Sequence, residues 1–533
     1  MTAQTEVPRP GSGEAPTDQT QAARQRGGAP GLLRRVADDP RIRVAATLLV
    51  AALWGMATGF WMPRGPITNV EGVATMLVSF VVGGVAGAAT RSRWAMLLAP
   101  ATFVAVLELV RLSTDGPTVD GLHLSTYGVM AFVVGRGVHG VLALLPMALG
   151  AALGAGVGRR LSQDRPVRHG WGRVRRYAGR GAAGLVTVGV VVLAVAVARP
   201  AGTDPIVGPD GKALRGSVAE LTRVPIGGED LAMMIRGHDT SDPVLLFLAG
   251  GPGGSELGAM REHLETLEQD FVVVTWDQRG SGKSYEQLDG ASSLTPERSV
   301  RDTVEVTEYL RERFGKDKIY LAGQSWGTIL GVLSVQRRPE LYHAFVGIGQ
   351  MVSPRETDRI IYRDSIAWAR RTGKDDVVKK LTDIGPPPYA SILDYEPALS
   401  YEHEVYPYDH TRNSEGEGGF SENLFVEEYT LLERVHALGA FLDSFSVLYP
   451  QIQDIDFRQS ATKLAVPVHL VQGRHEARGR SELVRTWFEQ LEAPAKTMTV
   501  LETSGHRPLF EQPDRFRAAM TQMALGQTAH GGG

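Results

Sequence analysis

The sequence predicts an α/β domain built on a mostly parallel sheet and preceded by a bundle of membrane-spanning helices. Three observations carry that prediction. After residue 216, short apolar strands alternate with helical stretches, the pattern of a parallel sheet covered by helices. Between residues 44 and 198, apolar spans recur with short polar breaks, and each is about as long as the ~20 residues that a hydrocarbon core of ~30 Å requires. Finally, "IYLAGQSWGTILGVL", residues 319 to 333, sets Ser325 between two glycines directly after a strand-like run.

The 533 residues divide by composition into five parts. Residues 1–43 are rich in Pro, Gly, Gln and Thr, with Arg24, Arg26, Arg34, Arg35, Arg41 and Arg43 towards the end, and are expected to form a disordered basic arm. A membrane region follows over 44–198, then a first part of the α/β core over 199–352, an insertion over 353–460, and a second part of the core over 461–533. The net charge of -3 gives no reason to expect nucleic acid as a partner. The chain has no cysteine, which excludes disulfides, thiol catalysis and cysteine-based metal sites. No histidine cluster has metal-ligand spacing, so neither a metal nor another cofactor is expected.

Five spans are read in the membrane region, at 44–62, 68–89, 94–112, 137–158 and 181–198, and the short run 127–135 either extends the fourth or lies at the interface. Arginines concentrate in the arm, in the break after the second span and in the 159–180 loop, which holds eight. The positive-inside rule therefore places the N-terminus in the cytoplasm and everything after residue 198 outside it. Gly150, Gly154 and Gly158 form a row of small residues suited to close helix packing. Glu108, Arg111, Arg136 and His139 cluster at the ends of spans three and four, where mutual pairing is expected.

In the α/β part, the bare pattern Gly-x-Ser-x-Gly is weak, because 62 glycines in 533 residues supply on the order of 0.4 matches by chance. Its setting is stronger: "KIYLAG" reads as a buried strand and "WGTILGVLSVQRR" as a helix, so Ser325 occupies a sharp strand-to-helix turn with its hydroxyl exposed. A serine hydroxyl needs a general base, and the base needs an acid that holds its tautomer. "VPVHLVQGRHE" is a later strand and turn ending in Glu476, and "TMTVLETSGHRPLF" is a further strand whose exit loop carries His506. Both fall on the strand edge that carries Ser325, in the chain order nucleophile, acid, base. His469 reads as a core residue, and Asp454 and Asp456 as turn or helix caps. The oxyanion donors expected are the amides of Trp326 and Gly251, the latter in "AGGPGG". The segment "GSGKS" is not a phosphate loop, since Asp277 stands where the first glycine is required.

Taken together, "GGPGG", "WDQRGSGKS", "GQSWG" and "SGH" resemble the proline iminopeptidase (prolyl aminopeptidase) group of the α/β-hydrolase fold, serine peptidase family S33, over about residues 217 to 525. Ala249, Ser281, Gln324 and Glu476 stand where that group more often has His, Cys, Gly and Asp. The resemblance implies an inserted helical cap over 353–460 that selects substrate through carboxylates. From Tyr389 to Asp456 there are fourteen Asp and Glu against Arg412 and Arg434, interleaved with aromatics. Glu433 is the first candidate for holding a substrate amine and Glu428 the second. The expected protein is a membrane-anchored, extracytoplasmic serine hydrolase that cleaves short peptides or amides, its partners being that small substrate and the lipid bilayer. An esterase or amidase for lipophilic compounds and a non-catalytic receptor on the same fold are the alternatives.

Overall fold

The computed structural model describes residues 39–162, 171–288, 294–407 and 421–528. The expected basic arm lies outside them except for its last residues, as do His410, Arg412 and the middle of the arginine-rich loop. Two compact units divide the chain: one holds the residues up to Ala57, Val78–Leu107 and Pro146–Val186, the other Thr58–Leu77, Glu108–Leu145 and Thr187 onward.

Among the described residues, five helices are long and apolar enough to cross a membrane: α1 (Pro40–Trp61), α2 (Asn69–Thr90), α3 (Ala95–Ser113), α4 (Thr126–Leu161) and α5, whose apolar part is Tyr177–Ala198. They lie on the five predicted spans. The run 127–135 proves to be the start of α4, joined to its remainder through a π turn at Val133–Gly137. At 36 residues α4 is about 54 Å long, well beyond the ~30 Å of a hydrocarbon core. Within the first unit, α2 and α4 meet backbone to backbone. A Cβ on Gly150, Gly154 or Gly158 would strike the carbonyl of Phe80, Gly84 or Ala88, and one on Gly83 or Gly87 that of Met147 or Ala151. The glycine row is thus an internal packing seam, at which the two backbones approach closely enough for dispersion contacts to accumulate.

In the second unit an eight-stranded sheet runs in the order β1-β2-β4-β3-β5-β6-β7-β8. Its strands are β1 (Val218–Ile226), β2 (Glu229–Gly237), β3 (Val244–Leu248), β4 (Val272–Trp276), β5 (Ile319–Gln324), β6 (Tyr342–Ile348), β7 (Val468–Gly473) and β8 (Lys496–Leu501). The hairpin β1–β2 is antiparallel and β2 pairs antiparallel with β4; from β4 to β8 all pairs are parallel. β3, β4 and β5 are buried throughout, as expected of strands covered on both faces. Helices α6 (Leu257–His263), α7 (Pro296–Phe314) and α8 (Trp326–Arg337) lie between the early strands. After β6 come α9 (Pro354–Thr372), α10 (Asp375–Ile384), α11 (Ile392–Leu399) and α12 (Leu431–Leu448), all within the predicted insertion. Helices α13 (Arg478–Gln490) and α14 (Pro513–Thr528) close the chain.

The segments that join α1 to α2 and α3 to α4 belong to this second unit and pack on the inserted helices. Asp443 on α12 is 1 % exposed and collects four donors: Arg64, the Thr118 amide (3.0 Å), the Thr118 hydroxyl (2.6 Å) and the Tyr285 hydroxyl (2.7 Å). His436, also on α12, bonds through Nε2 to the Pro66 carbonyl at 2.8 Å. Leu432 packs with Met76, Leu142 and Val197. Glu108 pairs with Arg111 and Arg136, the mutual pairing expected of these residues. Asp456 caps the turn Phe457–Ser460 as expected, whereas Asp454 instead pairs with Arg355 at the surface. Removing one partner of a buried ion pair strands the other, so Asp443→Ala should destabilise the protein by about 3–5 kcal/mol. Denaturation in detergent followed by tryptophan fluorescence would check this, with Asp443→Asn expected to lose less.

Candidate active site

The nucleophile candidate sits where β5 becomes α8. Ser325 has φ 52° and ψ −116°, outside the regions that side-chain-bearing residues favour, and it immediately precedes the first residue of α8. The turn is held by close approach on both sides. A Cβ on Gly323 would strike the Gly327 carbonyl, and one on Gly327 would strike that of Leu248. This is the physical reason for glycine two positions before and after the serine. The Ser325 hydroxyl faces a cavity and is turned towards Met351 Sδ, 3.7 Å away.

His506 lies in the loop after β8 and lines the same cavity. Its Nδ1 donates to Glu476 Oε2 at 2.6 Å, and its carbonyl accepts from Gln324 Nε2 at 3.2 Å, beside the serine. Glu476, in the turn after β7, is buried; its Oε1 accepts from the Ala477 amide and from Arg480 Nε, both at 2.7 Å. Burial alone would raise the Glu476 pKa, but the charges and hydrogen bonds of Arg480 and His506 outweigh it and hold the carboxyl down at about 2. The group is therefore a permanent anion at neutral pH, able to fix one imidazole tautomer and to stabilise an imidazolium.

For the oxyanion, Trp326 is the first residue of α8, where backbone amides have no intrahelical acceptor. Gly251, at φ 125°, lines the cavity from the loop after β3. Glu256 Oε2 accepts from the amide of neighbouring Gly250 at 3.1 Å and ties that loop down. The Trp326 ring itself is fully buried and donates from Nε1 to Gln278 at 2.9 Å, so it supports the elbow from beneath.

The cavity has a volume of about 580 Å³ and is roofed by the inserted helices. Aromatic rings dominate the roof: Phe445 stacks on Tyr449 with centroids 4.3 Å apart, and Tyr395 meets Tyr449 edge-on at 5.3 Å. Glu433 and Glu428 do not line it. Glu433 closes a capping box with Thr430 at the start of α12 and pairs with Lys283 at 2.7 Å. Glu428 accepts from Thr203 at 3.0 Å and pairs with Arg261. Carboxylates that do line the cavity are Glu256, Asp358 and Glu402. Asp358 accepts from Tyr449 at 2.7 Å and Gln453 at 3.2 Å; burial pushes its carboxyl up to about 6 despite these hydrogen bonds.

Two contributors were missed from sequence. Arg480 bonds both Glu476 and Glu402 and lines the cavity; the i, i+4 spacing from Glu476 was a usable signal. Asp358 lies in the first turns of α9, among charged neighbours that give no hint of its burial. Of the remaining histidines, His403 lines the cavity, His436 is buried away from it, and His469 bonds Thr497 at 2.8 Å. Glu262, His263 and Glu422 form one cluster of possible metal donors among the described residues, but His263 Nε2 is bonded to Glu422 and Arg507 pairs with the same carboxylate.

Residues 243–513, half of the chain, match the family model described as alpha/beta hydrolase fold. The chain is 32 % identical over 322 residues to a probable aminopeptidase of Bacillus subtilis, YbaC, covering 58 % of this chain and 97 % of that protein. It is 24 % identical over 304 residues to a probable proline iminopeptidase of Leptolyngbya boryana, covering 54 % of this chain and 90 % of that one. Among solved structures, a proline iminopeptidase-related protein from Thermus thermophilus matches with a TM-score of 0.42 and 21 % identity, over 58 % of this chain and 98 % of that one. The matched stretch contains Ser325, Glu476 and His506, and the chain belongs to the α/β hydrolase fold family, as a hydrolase.

Proposed function

We propose that this hydrolase is an aminopeptidase that cleaves short peptides or amides through a Ser325–His506–Glu476 triad. The 2.6 Å bond between His506 Nδ1 and the buried, anionic Glu476, in the cavity that exposes the strained Ser325, carries this reading. Ser325 Oγ turns from Met351 towards the imidazole, loses its proton to Nε2 and bonds to the substrate carbonyl carbon. The carbonyl π electrons move to oxygen, where the amides of Trp326 and Gly251 receive the developing charge. The imidazolium returns the proton to the leaving amine as the C–N bond breaks, and water, deprotonated by the same imidazole, then releases the acid. A free substrate N-terminus is cationic, and Asp358, Glu402 and Glu256 are the carboxylates placed to receive it. The aromatic roof also favours a second reading, hydrolysis of lipophilic esters, for which no amine is needed.

The arrangement of arginines around the five apolar helices supports an anchor in a membrane with the hydrolase outside the cytoplasm. A reporter fused after Gly533 should be active only outside the cell.

Fluorophosphonate should label the wild type and fail on Ser325→Ala and His506→Ala. Glu476→Gln should lower kcat by on the order of 10³ to 10⁴, since the tautomer is no longer set. Because Arg480 helps to depress the Glu476 pKa from 4.5, Arg480→Ala should move the acid limb of kcat/KM to higher pH. The same shift implies folding stability that is full above pH 4.5 and lost as pH falls through about 2. Asp358→Asn should raise KM about tenfold for free-amine peptides while sparing N-acetylated esters, each tenfold being ~1.4 kcal/mol. As Asp358 must be ionised to hold an ammonium, wild-type KM for free-amine substrates should rise as pH drops through about 6. An unchanged KM in Asp358→Asn would favour the ester reading.

A further inference from the structure

Tyr127 belongs to the first turn of α4, an apolar helix, yet among the described residues it is the one position before Gly250 that lines the catalytic cavity. Its ring is half-buried and packs against the core cluster that contains Tyr395, Phe445 and Tyr449. Three acceptors fix the backbone that carries it. Glu396 of α11 takes the Thr126 amide at 2.8 Å and the Tyr127 amide at 3.0 Å, and Ser125 Oγ takes that of Gly128 at 3.1 Å. Glu396 is only 7 % exposed, and a carboxylate at that depth is tolerated because it faces amides at a helix N-terminus. Beneath the turn the backbone approaches closely, since a Cβ on Gly128 would strike the His123 carbonyl. Nearby, the Arg64, Thr118 and Asp443 contacts clamp the same region to α12.

These bonds fix the backbone of Tyr127 and so leave its side chain at the cavity wall. We propose that Tyr127 is a specificity-determining residue: it forms the wall that the substrate's side chain meets, so the helical region that precedes the hydrolase sets the size of substrate accepted. The inference rests on the hydrolytic reading of Ser325, His506 and Glu476 and deepens it. It also gives the N-terminal segment a role besides anchoring.

The test compares full-length wild type with Tyr127→Ala, Tyr127→Phe and Tyr127→Trp, using p-nitroanilides of alanine and of naphthylalanine. The readout is the ratio of kcat/KM for the bulky over the small substrate. That ratio should rise about tenfold in Tyr127→Ala, fall about tenfold in Tyr127→Trp and return close to wild type in Tyr127→Phe, the scale on which pocket size discriminates side chains. A purely structural role would lower both values together and leave the ratio flat. A ratio constant within about twofold across the alanine and tryptophan variants, in an active wild type, overturns the inference. If Tyr127→Ala does not fold, the phenylalanine and tryptophan variants decide alone. A wild type silent towards every amide and ester would instead defeat the hydrolytic reading, and this inference with it, before any variant is made.

Discussion

A single buried carboxylate organises the second unit. Asp443 lies in the second half of α12, one of the helices that roof the cavity, and is tolerated there because Arg64, Thr118 and Tyr285 all point donors at it. The donors come from the segment between α1 and α2, the segment between α3 and α4, and the turn after β4. The position of the roof is therefore set in part by Arg64 and Thr118, from chain that precedes the first strand by about a hundred residues or more. Any displacement of α12 would strand charge in a low-dielectric interior, which costs far more than an exposed ion pair is worth.

A second arginine ties the roof to the chemistry. Arg480 donates from Nε to Glu476, which is bonded to His506, and from Nη2 to Glu402 of the insertion. Its guanidinium fork suits two carboxylates at once, where a lysine would offer a point charge. Glu476, the carboxylate bonded to His506, is thus electrostatically linked to the helices that cover the cavity. Close packing does the corresponding work at the candidate nucleophile, where Gly323 and Gly327 let backbone approach backbone and Ser325 stays in an unfavourable conformation.

The cavity combines stacked aromatic rings with carboxylates. Rings of this kind exclude water and lower the local dielectric, which is why Asp358 titrates well above an ordinary aspartate despite two donors. A cationic group entering the cavity would meet an environment that strengthens its attraction to such an anion. Several acidic residues that composition alone made conspicuous serve other purposes: Glu433 starts a helix, Glu428 holds Thr203 in the segment before β1, and Glu396 caps α4.

By itself the sequence determined the order of elements, the five apolar helices and the serine elbow, because periodicity, span length and glycine placement are local signals. The histidine and acid at the ends of the last two strands were legible too, since chain order and strand edges place them without knowledge of contacts. The tight α2–α4 seam was readable from Gly150, Gly154 and Gly158 for the same reason. The choice among the acids of the insertion was decided only by the tertiary structure, which shows which of the described carboxylates face the cavity and which are spent on caps and ion pairs. Arg480 and Tyr127 likewise acquire their places through contacts between segments far apart in the chain. Burial and partnership are properties of the assembled fold, and a solvated acid and a cavity-facing one are written with the same letter.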